Sequence, residues 1–314
     1  MSVYTDLTFE DIAAILADYS LGELERFSGI AAGIENSNFF IHTTDGKRYV
    51  LTIFERLGSE ELPYFMRLMK HLASNGLQSP DVLVRKDGSL LFTLDADDGE
   101  KSGCIVSCLS GETLDELNET QLYASGAMLA NLHVIGASFT ERRGSPTGRA
   151  WLVEKILSMQ ADVKKTYGDD ALQLLNDELL YQQQLQLLDL PHGVIHGDLF
   201  CDNILFSGDE VSGVIDFYYA HDAPYAMDIA IAINAQAIIL GDSDESRMAR
   251  WLAGYTSVRP LLEQEKDALN GLLRLGALRF WVSRLFDALY PRGGAMTQTK
   301  DPEEYRRKLL LHRG

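Results

Sequence analysis

A chain of 314 residues with 46% apolar content has material for one large or two modest domains with a full hydrophobic core, which excludes a disordered protein. Forty-six acidic side chains against 28 basic ones give a formal charge of −18, which argues against nucleic acid or an anionic membrane surface as partner. Three cysteines, Cys104, Cys108 and Cys201, make neither a disulfide framework nor a C-x2-C zinc pair and read as structural thiols of a reducing compartment. No basic stretch followed by an apolar one opens the chain, and the apolar run 229–240 is too short to span a bilayer. The expected location is cytoplasmic.

In chain order, residues 5–19 predict an amphipathic helix capped by Thr8, with Ile12, Ile15 and Leu16 as its apolar stripe. Three strands follow at 24–27, 37–43 and 47–54, the last two joined by the hairpin signal Asp45-Gly46. A helix at 60–73 and strands at 82–84, 90–94 and 103–108 complete a small α+β lobe. From Ser110 the pattern turns helical, with helices expected at 114–116, 119–134, 151–167, 170–188, 227–239, 243–255, 263–289 and 302–311. The expected division is a nucleotide-binding lobe at 1–108 and a catalytic, substrate-binding lobe at 109–314. The fold class is thus α+β: a bilobal fold with a small antiparallel-sheet N-lobe and a larger, mostly helical C-lobe.

The chemistry concentrates in HGDLFCDNILFSGDEVSGVIDF, residues 196–217. Asp198 is followed five residues on by Asn203, and Asp216 lies in the apolar strand Val214-Ile215-Asp216-Phe217. D-x4-N followed by such an Asp is the spacing of kinase catalytic and metal loops. One carboxylate, Asp198, orients the acceptor hydroxyl and takes its proton, while Asn203 and Asp216 hold Mg2+ with the nucleotide phosphates. His196 reads as structural, and Asp228 as an anchor or cap of the next helix. Upstream, Gly33, Asn36, Ser37 and Asn38 form a polar turn suited to covering nucleotide phosphates. Thr52 stands where kinases place the strand lysine that reaches those phosphates, with Lys47 or Arg48 as neighbouring substitutes. Asp-Phe-Gly and Ala-Pro-Glu are both lacking, which disfavours a regulated protein kinase. The helix that carries Trp281 and Arg284, with Arg274 and Arg279 nearby, offers basic and aromatic groups for a small anionic acceptor.

Taken together, GIENSNFF, YVLTIFE, ASGAMLANLH, HGDLFCDNILF and GVIDF resemble the aminoglycoside-phosphotransferase-like kinases of small molecules, almost end to end. Within that superfamily MSVYTDLT, GIENSNFF, the Thr52 of YVLTIFE and the tail KDPEEYRRKLL are most similar to the homoserine kinases of this fold. The resemblance implies a bilobal, protein-kinase-like fold and ATP-dependent phosphorylation of the L-homoserine hydroxyl for threonine synthesis, with ATP and Mg2+ as cofactors. Asp198 is then the base, Asn203 and Asp216 the metal ligands, and Ser107, Cys108 and Leu109 the hinge that meets adenine. Asp202, Asp222, Trp281 and Arg284 are candidates for the acceptor's charged groups on position alone. The expected partners are ATP or ADP and a small hydroxylated amino acid, with no nucleic acid, no membrane and no legible oligomeric state. The alternatives are a kinase of another hydroxylated small molecule (choline, an aminoglycoside or methylthioribose) and a non-catalytic nucleotide binder, the latter motivated by Thr52.

Overall fold

A computed structural model of the chain describes residues 5–30, 36–96, 99–185, 187, 189–291 and 300–314. The described residues form two compact units, one running through Ser110 and the other starting at Gly111.

The first unit is built on an antiparallel five-stranded sheet. Its strands are β1 (Leu24–Gly29), β2 (Asn36–Thr43), β3 (Arg48–Phe54), β4 (Phe92–Ala96) and β5 (Gly99–Ser107), in the order β1-β2-β3-β5-β4. Alternation puts Phe39, Ile41, Leu51, Ile53 and Ile105 into one apolar cluster with Ile12 and Leu16 of helix α1 (Phe9–Leu16). Thr8 and Asp11 close the capping box that starts α1. Gly46, at φ 78°, makes the predicted hairpin turn between β2 and β3, its N–H donating to the Thr43 carbonyl at 2.9 Å. Helix α2 (Leu62–Ser74) buries Leu62, Phe65, Met66, Met69 and Leu72. The strand expected at 82–84 is reduced to a bridge from Val82 to Val106, beside which the Leu83 N–H donates to the Ile105 carbonyl and the Ser107 N–H to the Asp81 carbonyl, both at 2.9 Å. Lys101 of β5 ties that strand to the chain just past β3, donating to Glu55 at 2.7 Å and to the Thr5 hydroxyl at 3.0 Å.

The second unit is mostly helical. Its helices are α3 (Glu119–Gly136), α4 (Arg149–Tyr167), α5 (Asp169–Gln184), α6 (Tyr225–Gln236), α7 (Asp244–Val258), α8 (Glu263–Leu289) and α9 (Pro302–Arg313). Two short antiparallel pairs carry its loops: β6 (His192–Ile195) with β9 (His221–Pro224), and β7 (Ile204–Ser207) with β8 (Glu210–Val214). Neither β6 nor β9 was expected. The helix expected at 114–116 is instead irregular chain, and beside it Glu112 exchanges two backbone hydrogen bonds with Phe206 at 2.9 and 3.0 Å. An antiparallel sheet followed by a helical unit is the α+β class expected. No helix among the described residues is long and apolar enough to cross a membrane.

Helices α3 and α7 cross with almost no space between their backbones. A Cβ on Gly254 would lie 2.0 Å from the Tyr123 carbonyl oxygen, and one on Gly126 would lie 2.2 Å from that of Trp251. Gly254→Ala gains about 1 kcal/mol of helix propensity but forces the crossing apart, which costs more, roughly 1–3 kcal/mol for ordinary overpacking and the upper end for a backbone clash. The expected outcome is a lower urea midpoint at unchanged slope. An unchanged or raised midpoint would show that the two helices do not cross this closely.

Candidate active site

Strand β6 is wholly apolar apart from His192, so it enters the core and delivers His196-Gly197-Asp198 at its buried end. There the chain turns sharply. Gly197 sits at φ 78°, and a Cβ on it would lie 2.8 Å from the Tyr219 carbonyl oxygen, so the turn requires glycine. Asp228, fully buried in the first turn of α6, accepts from the His196 N–H at 2.7 Å and the Gly197 N–H at 2.9 Å. It also accepts from His133 Nε2 at 3.0 Å. The donors behind it run in one direction: Arg259 donates to the Tyr255 oxygen at 3.1 Å, and the Tyr255 hydroxyl reaches His133 Nδ1 at 2.7 Å. Burial alone would raise the Asp228 pKa; the His133 hydrogen bond, nearby imidazoles and the Gly197 N–H outweigh it and hold the carboxyl below its ordinary value. Asp228 therefore anchors the His196-Gly197 turn that follows β6 instead of capping the helix it sits on, the role expected from the sequence.

His196 is also fully buried. Its Nε2–H donates to the Ile215 carbonyl at 3.0 Å, and its Nδ1 accepts from the Asp198 N–H at 3.3 Å. The ring thus links the start of the loop to the end of β8 and is structural. Asn203 closes a single 3-10 turn, Cys201–Asn203, and its Nδ2 donates to the Asp198 carbonyl at 2.8 Å. That bond commits the amide nitrogen and leaves Oδ1 as the acceptor of the side chain. The Ile215 N–H donates to the Asn203 carbonyl at 3.0 Å, and Ile204 pairs with Val214, so the β7–β8 ladder brings Asn203 beside the residue before Asp216. Asp216 itself is exposed and left-handed at φ 65°, ψ 62°, a conformation rare for a side chain with a Cβ. An amide oxygen and a carboxylate held this way fit a hard cation that keeps most of its waters. Among the described residues no cluster of three or more His, Cys, Asp or Glu side chains makes a richer metal site.

Arg279 of α8 completes the loop's surroundings. It is buried, donates from Nη1 to the Gly197 carbonyl at 2.6 Å, and places Nη2 3.8 Å from Asp198 Oδ1. The Gly197-Asp198 turn is gripped by a carboxylate on its N–H side and a guanidinium on its carbonyl side. Arg279 stood in the sequence as one of several arginines on this helix, and no local signal separated it from Arg274, which instead pairs with Glu178 at 2.5 Å.

The other sequence candidates have the following surroundings. In the first unit Asn36 and Ser37 are buried at the start of β2; Ser37 Oγ donates to Glu55 at 2.5 Å, and Asn38 Oδ1 accepts from the Thr52 hydroxyl at 2.7 Å. Gly33 lies outside the described residues. Thr52 is buried in mid-strand, while Lys47 pairs with Asp45 at 3.2 Å and Arg48 stacks over Phe40. Ser107 Oγ accepts from the Asp81 N–H at 2.9 Å, and the Cys108 Sγ lies 3.6 Å from the Leu109 carbonyl. In the second unit Asp202 is exposed and 3.2 Å from Lys300. Asp222 pairs with Arg142 and accepts from the Arg143 N–H at 3.1 Å, which locks β9 to the segment between α3 and α4. Trp281 is sealed in the core, and Arg284 ties α8 to α9 through Glu304 at 2.6 Å and the Asp301 carbonyl at 2.9 Å. Asp222, Trp281 and Arg284 are thus engaged in packing and take no part in the site proposed below.

Residues 26–261 match the phosphotransferase enzyme family, APH. The chain belongs to that family. It is 41% identical over 314 residues to a homoserine kinase of Methylobacillus flagellatus, covering 99% of this chain and 95% of that one. A homoserine kinase of Neisseria meningitidis is 40% identical over 311 residues, covering 99% of each. Among solved structures, amicoumacin kinase hAmiN in complex with AMP-PNP, Ca2+ and Ami aligns with a TM-score of 0.72 at 17% identity, over 97% of this chain and 91% of that one. The microcompartment-associated aminopropanol kinase aligns with a TM-score of 0.63 at 19% identity, over 98% and 94%. At such identities the likeness is one of fold.

Burial lowers the pKa of His133, His196 and His221 below the ordinary imidazole value, and that of His312 to about 4. All four are in the second unit. The unfolded chain takes up protons on these rings below about pH 6.5 and the folded chain does not, so their stability contribution is complete above that pH and falls as pH drops. Each costs up to about 1.4 kcal/mol per pH unit in that window. Urea midpoints are expected to fall steeply between pH 7 and pH 5, and a flat profile would contradict the neutral, buried rings.

Proposed function

We propose that this chain is an ATP-dependent kinase that phosphorylates the side-chain hydroxyl of L-homoserine to O-phosphohomoserine, a step toward threonine. The observation that carries the reading is about 40% identity over the whole chain to relatives named homoserine kinase, together with family membership. In the second unit, Asp198 is the group that orients the acceptor hydroxyl. As the hydroxyl oxygen bonds to the γ-phosphorus, the β,γ-bridging oxygen leaves with ADP and the proton passes to the Asp198 carboxylate. Arg279 beside Asp198 and the two-sided grip on Gly197 fix that carboxylate in place before substrate arrives.

Asn203 Oδ1 and the Asp216 carboxylate are the groups that would hold Mg2+, which when bound neutralises phosphate charge as the bond to the leaving oxygen breaks. In the first unit Asn36, Ser37 and Asn38 are proposed to meet the phosphates, and Ser107, Cys108 and Leu109 the adenine. Nothing on β3 supplies a phosphate-binding lysine, since Thr52 is buried and bonded to Asn38. That observation favours a second reading, a nucleotide binder without turnover.

Coupled ADP release with L-homoserine, choline, an aminoglycoside and methylthioribose separates these readings. Turnover is expected with homoserine and not with the other three; no turnover with any would favour the binder. Asp198→Asn is expected to lower kcat about 10²–10⁴-fold while leaving the KM for ATP near the parent value. Retained kcat in that variant would remove Asp198 from the chemistry.

A further inference from the structure

Resting on the homoserine reading, we propose that a pocket within the second unit is the acceptor site, and that Arg279, His221 and Thr147 there bind the amino-acid end of the acceptor. The pocket has a volume of about 150 Å³ and is bounded by the start of α4, β9, α6 and α8. A cavity of that order holds a benzene-sized molecule, and homoserine is of similar size. Met227, Ile231 and Leu272 give it a mainly apolar wall, suited to a short methylene chain.

Among the described residues five polar ones line it; Ser145 and Arg149 are exposed, and Arg279, His221 and Thr147 are the buried or half-buried three. Arg279 has its side chain only 6% exposed; Nη1 donates to the Gly197 carbonyl, Nη2 lies 3.8 Å from Asp198, and the guanidinium stands over the Phe280 ring at 4.3 Å. Its planar fork matches a carboxylate in two-point fashion, a closer partner than Asp198 at that distance. His221 places Nδ1 2.8 Å from the Tyr219 carbonyl. A carbonyl only accepts, so Nδ1 carries the proton and Nε2 presents a lone pair, the partner an ammonium N–H requires. Burial keeps this ring neutral at pH 7. The Thr147 hydroxyl, also in the lining, is buried without a hydrogen-bond partner. Such orphans cost about 1–3 kcal/mol, and a bound zwitterion removes the cost.

The same guanidinium connects recognition to chemistry. Because Arg279 Nη2 lies 3.8 Å from Asp198 Oδ1, a carboxylate seated on Arg279 leaves the hydroxyl of a short chain within reach of the catalytic carboxylate. Among the described residues neither Asp nor Glu lines the pocket, so a polycationic acceptor finds no counter-charge on them, and the single ammonium of an amino acid rests on His221. The ligand class is therefore a small 2-amino acid with a terminal hydroxyl.

The test measures the KM for L-homoserine and for ATP, and the kcat/KM ratio of L-homoserine to homoserinol, which lacks the carboxylate. Thr147→Val is expected to raise the homoserine KM about 5-fold, the worth of one neutral hydrogen bond, with the ATP KM unchanged. Arg279→Lys is expected to raise the homoserine KM by about tenfold or more and to collapse the preference over homoserinol, since a point charge replaces the fork. Parent values for the homoserine KM in Thr147→Val, or an intact preference in Arg279→Lys, would overturn the pocket assignment. If Arg279→Lys does not fold, Thr147→Val decides alone. A parent enzyme without homoserine turnover overturns the substrate reading itself, a result distinct from either.

Discussion

One buried carboxylate organises the catalytic unit. Asp228 accepts hydrogen bonds from the His196 and Gly197 backbones and from His133, with none of its surface in water. A lone charge in such a place costs several kcal/mol, and only a complete set of donors makes it tolerable. The donors come from two separated stretches of sequence and the carboxylate from a third, so forming the site and closing the core are one event. Glu265, Arg259, Tyr255 and His133 extend the same chain of hydrogen bonds from α8 and α7 through α3 to α6. A loop at the end of a four-residue strand gains rigidity from helices far along the chain.

Much of this was legible in the sequence, for identifiable reasons. The D-x4-N spacing and the apolar run before Asp216 are local, so the hairpin β7–β8 and the placing of Asn203 beside it follow from neighbours in the chain, although β8 ends at Val214 and Asp216 stands in a left-handed turn beyond it and not in the strand expected. Strand β2 alternates over eight residues and β3 is largely apolar over seven, long enough for the pattern to speak. By contrast β6 and β9 are four residues each, and their pairing spans a hairpin and a left-handed turn. No window of sequence holds both. The role of Arg279 was equally hidden, because its partner Gly197 is 82 positions away and the helix carries other arginines. Arg284 misled for the same reason: basic residues on one helix face different elements, here Glu304 of α9.

The charge balance also takes on a structural meaning. Arg247, Arg279, Arg284 and Lys308 are buried, each bonded to backbone carbonyls of neighbouring elements. Part of the small basic complement thus serves as internal cross-linking, and because Glu178, Asp228, Asp244 and Glu265 are buried as well, the solvent-facing surface keeps the net acidity of the formal charge of −18. An acidic exterior repels ATP at long range, so affinity for the nucleotide has to arise at short range, from metal, backbone N–H groups and polar side chains.

Thr52 carries a practical corollary. Its hydroxyl is spent on Asn38 in the middle of β3, where many phosphotransferases present an amine to the nucleotide. Acylating ATP analogues that label kinases by capturing that amine therefore find no lysine on this strand. Profiling that depends on capture at that one position would record no label there however abundant the protein is.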